Sequence, residues 1–296
     1  MNNCHHKKVG SFLFFFLNIV LCYFVFAGCV SKNSTDEKTE LVETEAGEVR
    51  DDVLESLRAS NVTSQLPFSE EVLQRGLLND VDRTNDYLRH GKGAAAANLG
   101  IYLSDLSCLV TLGKGDEARR YFEACLRLSE HIGMKKQFEE AIQFGFNEII
   151  AGDKKLGKSL EDRFKDARNT AEEEEFKKLH ASALTGYYIE ELYHLAAFIK
   201  SHSTVEKADS VFIVAFNTFI NQKDELDNLI AYFDHIKLKP QGISVYQELL
   251  ALQGKFLALD RDRLLQERNT SLLVKDKSVQ VIFDSLFSFR KRIIDS

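Results

Sequence analysis

A helix that is apolar on nearly every side needs protein around it, not water. Residues 181–200, ASALTGYYIEELYHLAAFIK, predict such a helix, with no proline and a single glycine. Leu184, Tyr188, Leu192, Leu195 and Ile199 form one stripe at helical spacing, and Leu179, Ser182, Gly186, Ile189, Tyr193 and Ala197 cover much of the opposite side. The narrow strip between them carries His180, Tyr187, Glu191 and His194, with Glu190 at its edge. The expected fold is therefore all-α: a multi-helix bundle of antiparallel helical hairpins around a central apolar helix at about 176–200.

Only two prolines occur in 296 residues, with no tryptophan, which suits long uninterrupted helices. Hydrophobic residues at 44% and charged residues at 28% exclude a wholly disordered chain. The formal charge is −7, and it becomes more negative once residues 1–28, with two lysines and no acid, are set aside. Such a field repels phosphates, and no basic patch interleaved with aromatic residues offsets it, so no nucleic-acid partner is expected.

Lys7 and Lys8 precede an apolar run from Phe12 to Phe26, shorter than the ~20 residues a spanning helix needs. It reads as the hydrophobic part of a signal peptide over residues 1–28. The run closes on Phe26-Ala27-Gly28-Cys29, which resembles the lipobox of bacterial lipoprotein precursors. That resemblance implies cleavage before Cys29, acylation of its thiol, and a membrane held through the acyl chains. Val30 follows the cysteine, where an aspartate would mark inner-membrane retention, so an outer-membrane address is expected, with periplasmic and surface faces both open. Residues 29–47 are a polar, lipid-anchored tether, and 48–296 form a single helical domain.

Along that domain, helices are expected at about 48–59, weakly from Ser69 to Arg89, at 94–112, at 116–131, and near 134–151 and 156–169. Others are expected at 172–200, 205–222, 224–236, 243–259 and 277–294, with a break at Pro240-Gln241-Gly242. The helix at 94–112 is read as amphipathic, presenting Leu99, Tyr102, Leu103, Leu106, Leu109 and Val110 on one face. The last helix is expected to bury Val281, Phe283, Leu286, Phe287 and Ile293.

GKGDEARRYFEACLRL resembles the second helix of a tetratricopeptide repeat, but no second copy follows about 34 residues on, so one hairpin is expected and no tandem array. Asn98-Leu99-Gly100-Ile101-Tyr102 with Ser104-Asp105-Leu106-Ser107, then Leu128-Ser129-Glu130-His131-Ile132-Gly133, then Gly186-Tyr187 with Ile189-Glu190 and Leu192-Tyr193, resemble an uncharacterised family of all-helical lipoproteins from Bacteroidota. The resemblance implies lipid anchoring and a helical domain, and supplies no activity.

Glu191 and His194 have the Glu-x-x-His spacing that forms half of a di-iron carboxylate site, yet no second copy completes it. Two ligands hold a divalent ion poorly, so the pair is read as a hydrogen-bonded polar seam or groove lip, with no metal and no cofactor. His131, His180, His202 and His235 are scattered and show no convergence. No nucleophile elbow, phosphate-binding glycine loop or paired zinc-ligand cysteines is present, and the reading leans away from an enzyme. Cys108 and Cys125, on helices joined by Gly113-Lys114-Gly115, are offset along the hairpin by about five residues, placing their α-carbons beyond the ~7 Å a disulfide tolerates. Two functions from different classes stand. One is a lipid-anchored envelope protein that binds or scaffolds an unknown envelope partner. The alternative is a small-molecule or metal-binding protein using the strip of His180, Tyr187, Glu190, Glu191 and His194.

Overall fold

A computed structural model describes residues 76–136, 174–236 and 244–296. All lie in the second of the two units, 1–45 and 46–296, into which the chain divides. The signal segment with Cys29, the tether, the helices expected at 48–59 and 156–169, most of the one at 134–151, and the break at Pro240 lie outside the described residues.

Every regular element among the described residues is a helix, apart from an isolated bridge between Lys207 and Asn269. A 3-10 turn at Val81–Arg83 runs into the single-turn helix α1 (Thr84–Tyr87), where the sequence suggested a longer weak helix. Then come α2 (Lys92–Thr111), α3 (Gly115–Ile132), α4 (Glu174–Ser201), α5 (Ser210–Ile220) and α6 (Lys223–His235). The chain continues with α7 (Ser244–Leu257), α8 (Arg261–Gln266), α9 (Thr270–Lys275) and α10 (Lys277–Ile294). Side chains at the starts fix several boundaries. Asp209 accepts from the Phe212 N–H at 2.7 Å, Asn269 from Leu272 at 3.1 Å and Asp276 from Ser278 at 2.9 Å. The charge run Asp260-Arg261-Asp262-Arg263 is a helix start, since Asp260 caps α8.

Gly113 and Gly133 end α2 and α3 with φ of 69° and 83°, a left-handed conformation that costs a residue with a side chain more. The tight turn at Gly113 folds α3 back along α2, as the expected hairpin requires. α3 is amphipathic and buries Ala118, Tyr121, Phe122, Cys125, Leu128 and Ile132.

The centre differs in one respect from the sequence reading. α2 is not a one-faced helix: every residue from Ala95 to Val110 is buried. It is long and apolar enough to cross a membrane by length and composition, but here it is enclosed by the bundle. Its closest partner is α4, and the two approach backbone to backbone. A Cβ built on Gly186 would lie 1.8 Å from the Ala97 carbonyl oxygen, and one on Gly100 would lie 1.8 Å from that of Ala183. Farther along, Asp105 of α2 meets Glu190 and His194 of α4. Both helices advance in the same direction through these contacts, so the tightest pair in the bundle is parallel. α10, α5 and α6 pack on other sides of α4, and α7 packs on α6 and α10. In α10 the buried face is Val279, Ile282, Phe283, Leu286, Phe289, Arg290 and Ile293, while Val281 is 49% exposed, against expectation.

Candidate functional site

The strip on α4 does not face one neighbour. His180 Nδ1 lies 3.1 Å from the Tyr232 hydroxyl of α6, and its ring stacks on Phe176. Glu191, 6% exposed, is among the carboxylates of α4 and α6 whose charges help hold the Tyr188 hydroxyl protonated, after burial itself. Tyr187 is buried. Glu190 and His194 turn the other way, towards α2 and α10. The expected Glu191–His194 pair is therefore replaced by Glu190 with His194, four residues apart and one turn along the helix. Nor is their neighbourhood a groove lip. Glu190 is fully enclosed and His194 is 1% exposed.

Three further groups complete the cluster. Asp105 comes from α2, Arg290 from α10, and Asn79 from the segment before the 3-10 turn. The Arg290 guanidinium grips Glu190 side-on, with Nε donating to Oε2 at 2.6 Å and Nη2 to Oε1 at 2.7 Å. Its plane covers the Tyr193 ring, with Cζ 3.8 Å from the centroid, and Nη2 also donates to Asn79 Oδ1 at 3.0 Å. Asn79 binds both acids. Its backbone N–H and Nδ2 each donate to Asp105 Oδ2 at 2.9 Å, and Nδ2 reaches Glu190 Oε1 at 3.1 Å. Tyr121 of α3 fixes Asn79 by donating to its carbonyl at 2.5 Å.

His194 Nε2 lies between the acids, 3.2 Å from Glu190 Oε1 and 3.4 Å from Asp105 Oδ1. Neither contact has the alignment of a straight hydrogen bond. The two carboxyls titrate in opposite senses because only one holds the arginine. Burial pushes both up, but Arg290 and then His194 bring Glu190 down to about 2. Asp105 stays raised, by burial first and by Glu190 second, with His194 and Asn79 only partly offsetting them. Burial works against the imidazolium, yet the close approach of the Asp105 and Glu190 carboxylates raises His194 to about 9.

Donor atoms of Asp105, Glu190 and His194 lie within 4.8 Å of one another, so these three residues are the described group able to hold a metal ion. Charge decides against the metal as the better occupant. With one proton shared by Asp105 and His194, the cluster of Arg290, Glu190, Asp105 and His194 is neutral. A dication on a neutral imidazole and two carboxylates leaves one buried positive charge in excess, a penalty of several kcal/mol. Arg290 already serves as the internal cation, and it occupies both oxygens of Glu190.

The sequence reading missed Asp105, Asn79 and Arg290 as site residues. Asp105 had a signal: it is the one charged residue between Gly93 and Gly113, inside an apolar helix, and such a carboxyl requires a partner. Arg290 is hidden in the basic run Arg290-Lys291-Arg292, and Asn79 has no pattern to mark it. Comparison with family models, with curated proteins and with solved structures finds no match for this chain.

Proposed function

We propose that this chain is a lipid-anchored cell-envelope protein, tethered to the outer membrane by acylated Cys29, whose helical domain binds or scaffolds another envelope protein. The sequence of the apolar run, Ala27-Gly28-Cys29 and the polar tether supports the anchor. One observation carries the preference for a binding module over a chemical site. Neither described cavity is lined by His180, Tyr187, Glu190, Glu191 or His194; the groups with chemical capacity face one another, not an opening. Exposed Val214, Leu257 and Leu272 offer positions from which to trap a partner.

A photo-crosslinking residue placed at each of these positions in native cells tests the reading. Discrete protein adducts are expected, and they should disappear when Cys29→Ser releases the chain from the membrane or blocks its maturation. Absence of any protein adduct, or normal maturation and acyl labelling of Cys29→Ser, would refute it. A second reading, metal binding at Asp105, Glu190 and His194, is favoured by the spacing of the donor atoms. Stoichiometric zinc or iron in protein purified without added metal, lost in His194→Gln, would establish that reading instead.

A further inference from the structure

Residues 77–79 close the buried cluster, and they are held there differently from its other walls. Those walls are the helices α2, α4 and α10, whose separation would expose apolar surface. The 77–79 segment is not helical, and among the described residues its backbone makes no hydrogen bond to another backbone group. Leu77 and Leu78 are only half-buried at the edge of the core, so Asn79 is the one buried side chain of the three. What fixes the segment is polar. The Asn79 side chain bonds Asp105, Glu190 and Arg290, and its carbonyl accepts from Tyr121. Arg290 Nη2 also lies 3.4 Å from the Leu77 oxygen.

The two ends of the segment differ. Asp80 is anchored at the start of the 3-10 turn: its carbonyl accepts from the Tyr102 hydroxyl at 2.7 Å and from the Arg83 N–H at 3.1 Å. Gly76, at the other end, is exposed, and a Cβ built on it would meet nothing within 4 Å. Lifting the segment therefore trades its hydrogen bonds for water at the same groups. Charged side chains regain hydration that burial took from them, so this opening costs far less than one that bares apolar helix faces.

We propose that residues 77–79 are a strap that lifts from the cluster, hinged at Asp80, while the helices stay packed, and that its lifting gives water and small ions entry to Asp105, Glu190 and His194. The cluster is thus gated and the structure holds its closed state. The gate exists whether the domain scaffolds a partner or takes a metal ion.

Hydrogen exchange of the full chain at increasing urea is the test. It is read at the Asn79 amide, which donates to Asp105 Oδ2, and at the Leu106 amide inside α2. Protection at Asn79 should be at least about a hundredfold weaker than at Leu106 and almost independent of urea below the unfolding transition, whereas Leu106 should follow global unfolding. Two variants separate a lifting strap from a domain that opens as one. Tyr121→Phe removes a bond that only the closed strap makes, and it should speed Asn79 about fivefold. Phe256→Leu weakens packing on Phe219 that the lifted state keeps, so it should speed Leu106 about tenfold and leave Asn79 unchanged. Equal urea dependence at the two amides, an Asn79 rate unmoved by Tyr121→Phe, or acceleration of Asn79 together with Leu106 in Phe256→Leu would overturn the proposal.

Discussion

His194 ties the stability of the domain to pH with a defined sign. Its folded pKa of about 9 lies above the ordinary histidine value of 6.5. Its contribution is therefore complete below the unfolded value and is lost as pH rises through about 9. Asp105, also raised, binds its proton more tightly folded than unfolded and acts in the same direction. Glu190, lowered to about 2, contributes above its ordinary value of 4.5 and loses that contribution on acidification. The urea midpoint should accordingly fall between pH 6.5 and 9, and the fall should be clearly shallower in His194→Gln. An equal slope in that variant would remove His194 from the account. The thiols give a second check at this scale. Cys108 and Cys125 are free and buried. Burial and then the nearby Asp105 charge push Cys108 up to about 12, and the same causes raise Cys125. A thiol-specific reagent should label both only as fast as the domain unfolds, and the unreduced protein should show no Cys108–Cys125 crosslink. The residues of this cluster were only half legible in the sequence. Glu190 and His194 announce themselves as polar groups on an apolar helix, but which of two adjacent glutamates meets the histidine depends on where α2 and α6 divide the surface of α4.

Between helices, the contact that matters most is made by the absence of side chains. Gly186→Ala would drive a methyl group into the Ala97 carbonyl, an obstacle that is backbone and cannot rotate away. We expect a loss of at least about 3 kcal/mol, or no folded protein. Gly254 in α7 is the control, because a Cβ there meets nothing within 4 Å. Gly254→Ala should stabilise the domain by about 0.5–1 kcal/mol through helix propensity alone. Urea denaturation of the two variants measures both, and equal effects would show that the close approach of α2 and α4 is unimportant. The helices themselves were well marked by apolar spacing, and α10 falls at 277–294 as its pattern predicts. Burial was less legible. Ala97 and Gly100 carry no apolar bulk to mark them, yet with Gly186 they are where α4 comes closest to α2. In α10, Val281 looked like a core residue because its chemistry is apolar, but the phase set by Phe283, Leu286, Phe289 and Ile293 turns it outward.

For the molecule as a whole, the all-helical architecture was evident from composition and periodicity, whereas the order in which helices meet was not, because distant partners leave no trace in local spacing. The bonds of the buried cluster are long-range: Glu190 meets Arg290 100 residues farther along, and Asn79 meets the same arginine across 211. A chain made from its N-terminus therefore produces α2, α3 and α4 well before the cation that compensates Glu190 exists. Until then Glu190 lacks the guanidinium that grips both its oxygens, and enclosing its carboxylate is costly. The bundle should consequently stay open during synthesis and close only when α10 is complete. Chains of increasing length, stalled and treated with protease, should remain sensitive until Arg290 has emerged, then become resistant in one step. A full-length Arg290→Gln chain separates the missing charge from the missing apolar surface of α10, and it should stay sensitive if the charge sets the timing. Resistance in chains that stop short of Ser288 would show the core closing without it. An arginine in α10 would then act as a signal of completion: the domain stays open until the last of its described helices has been made.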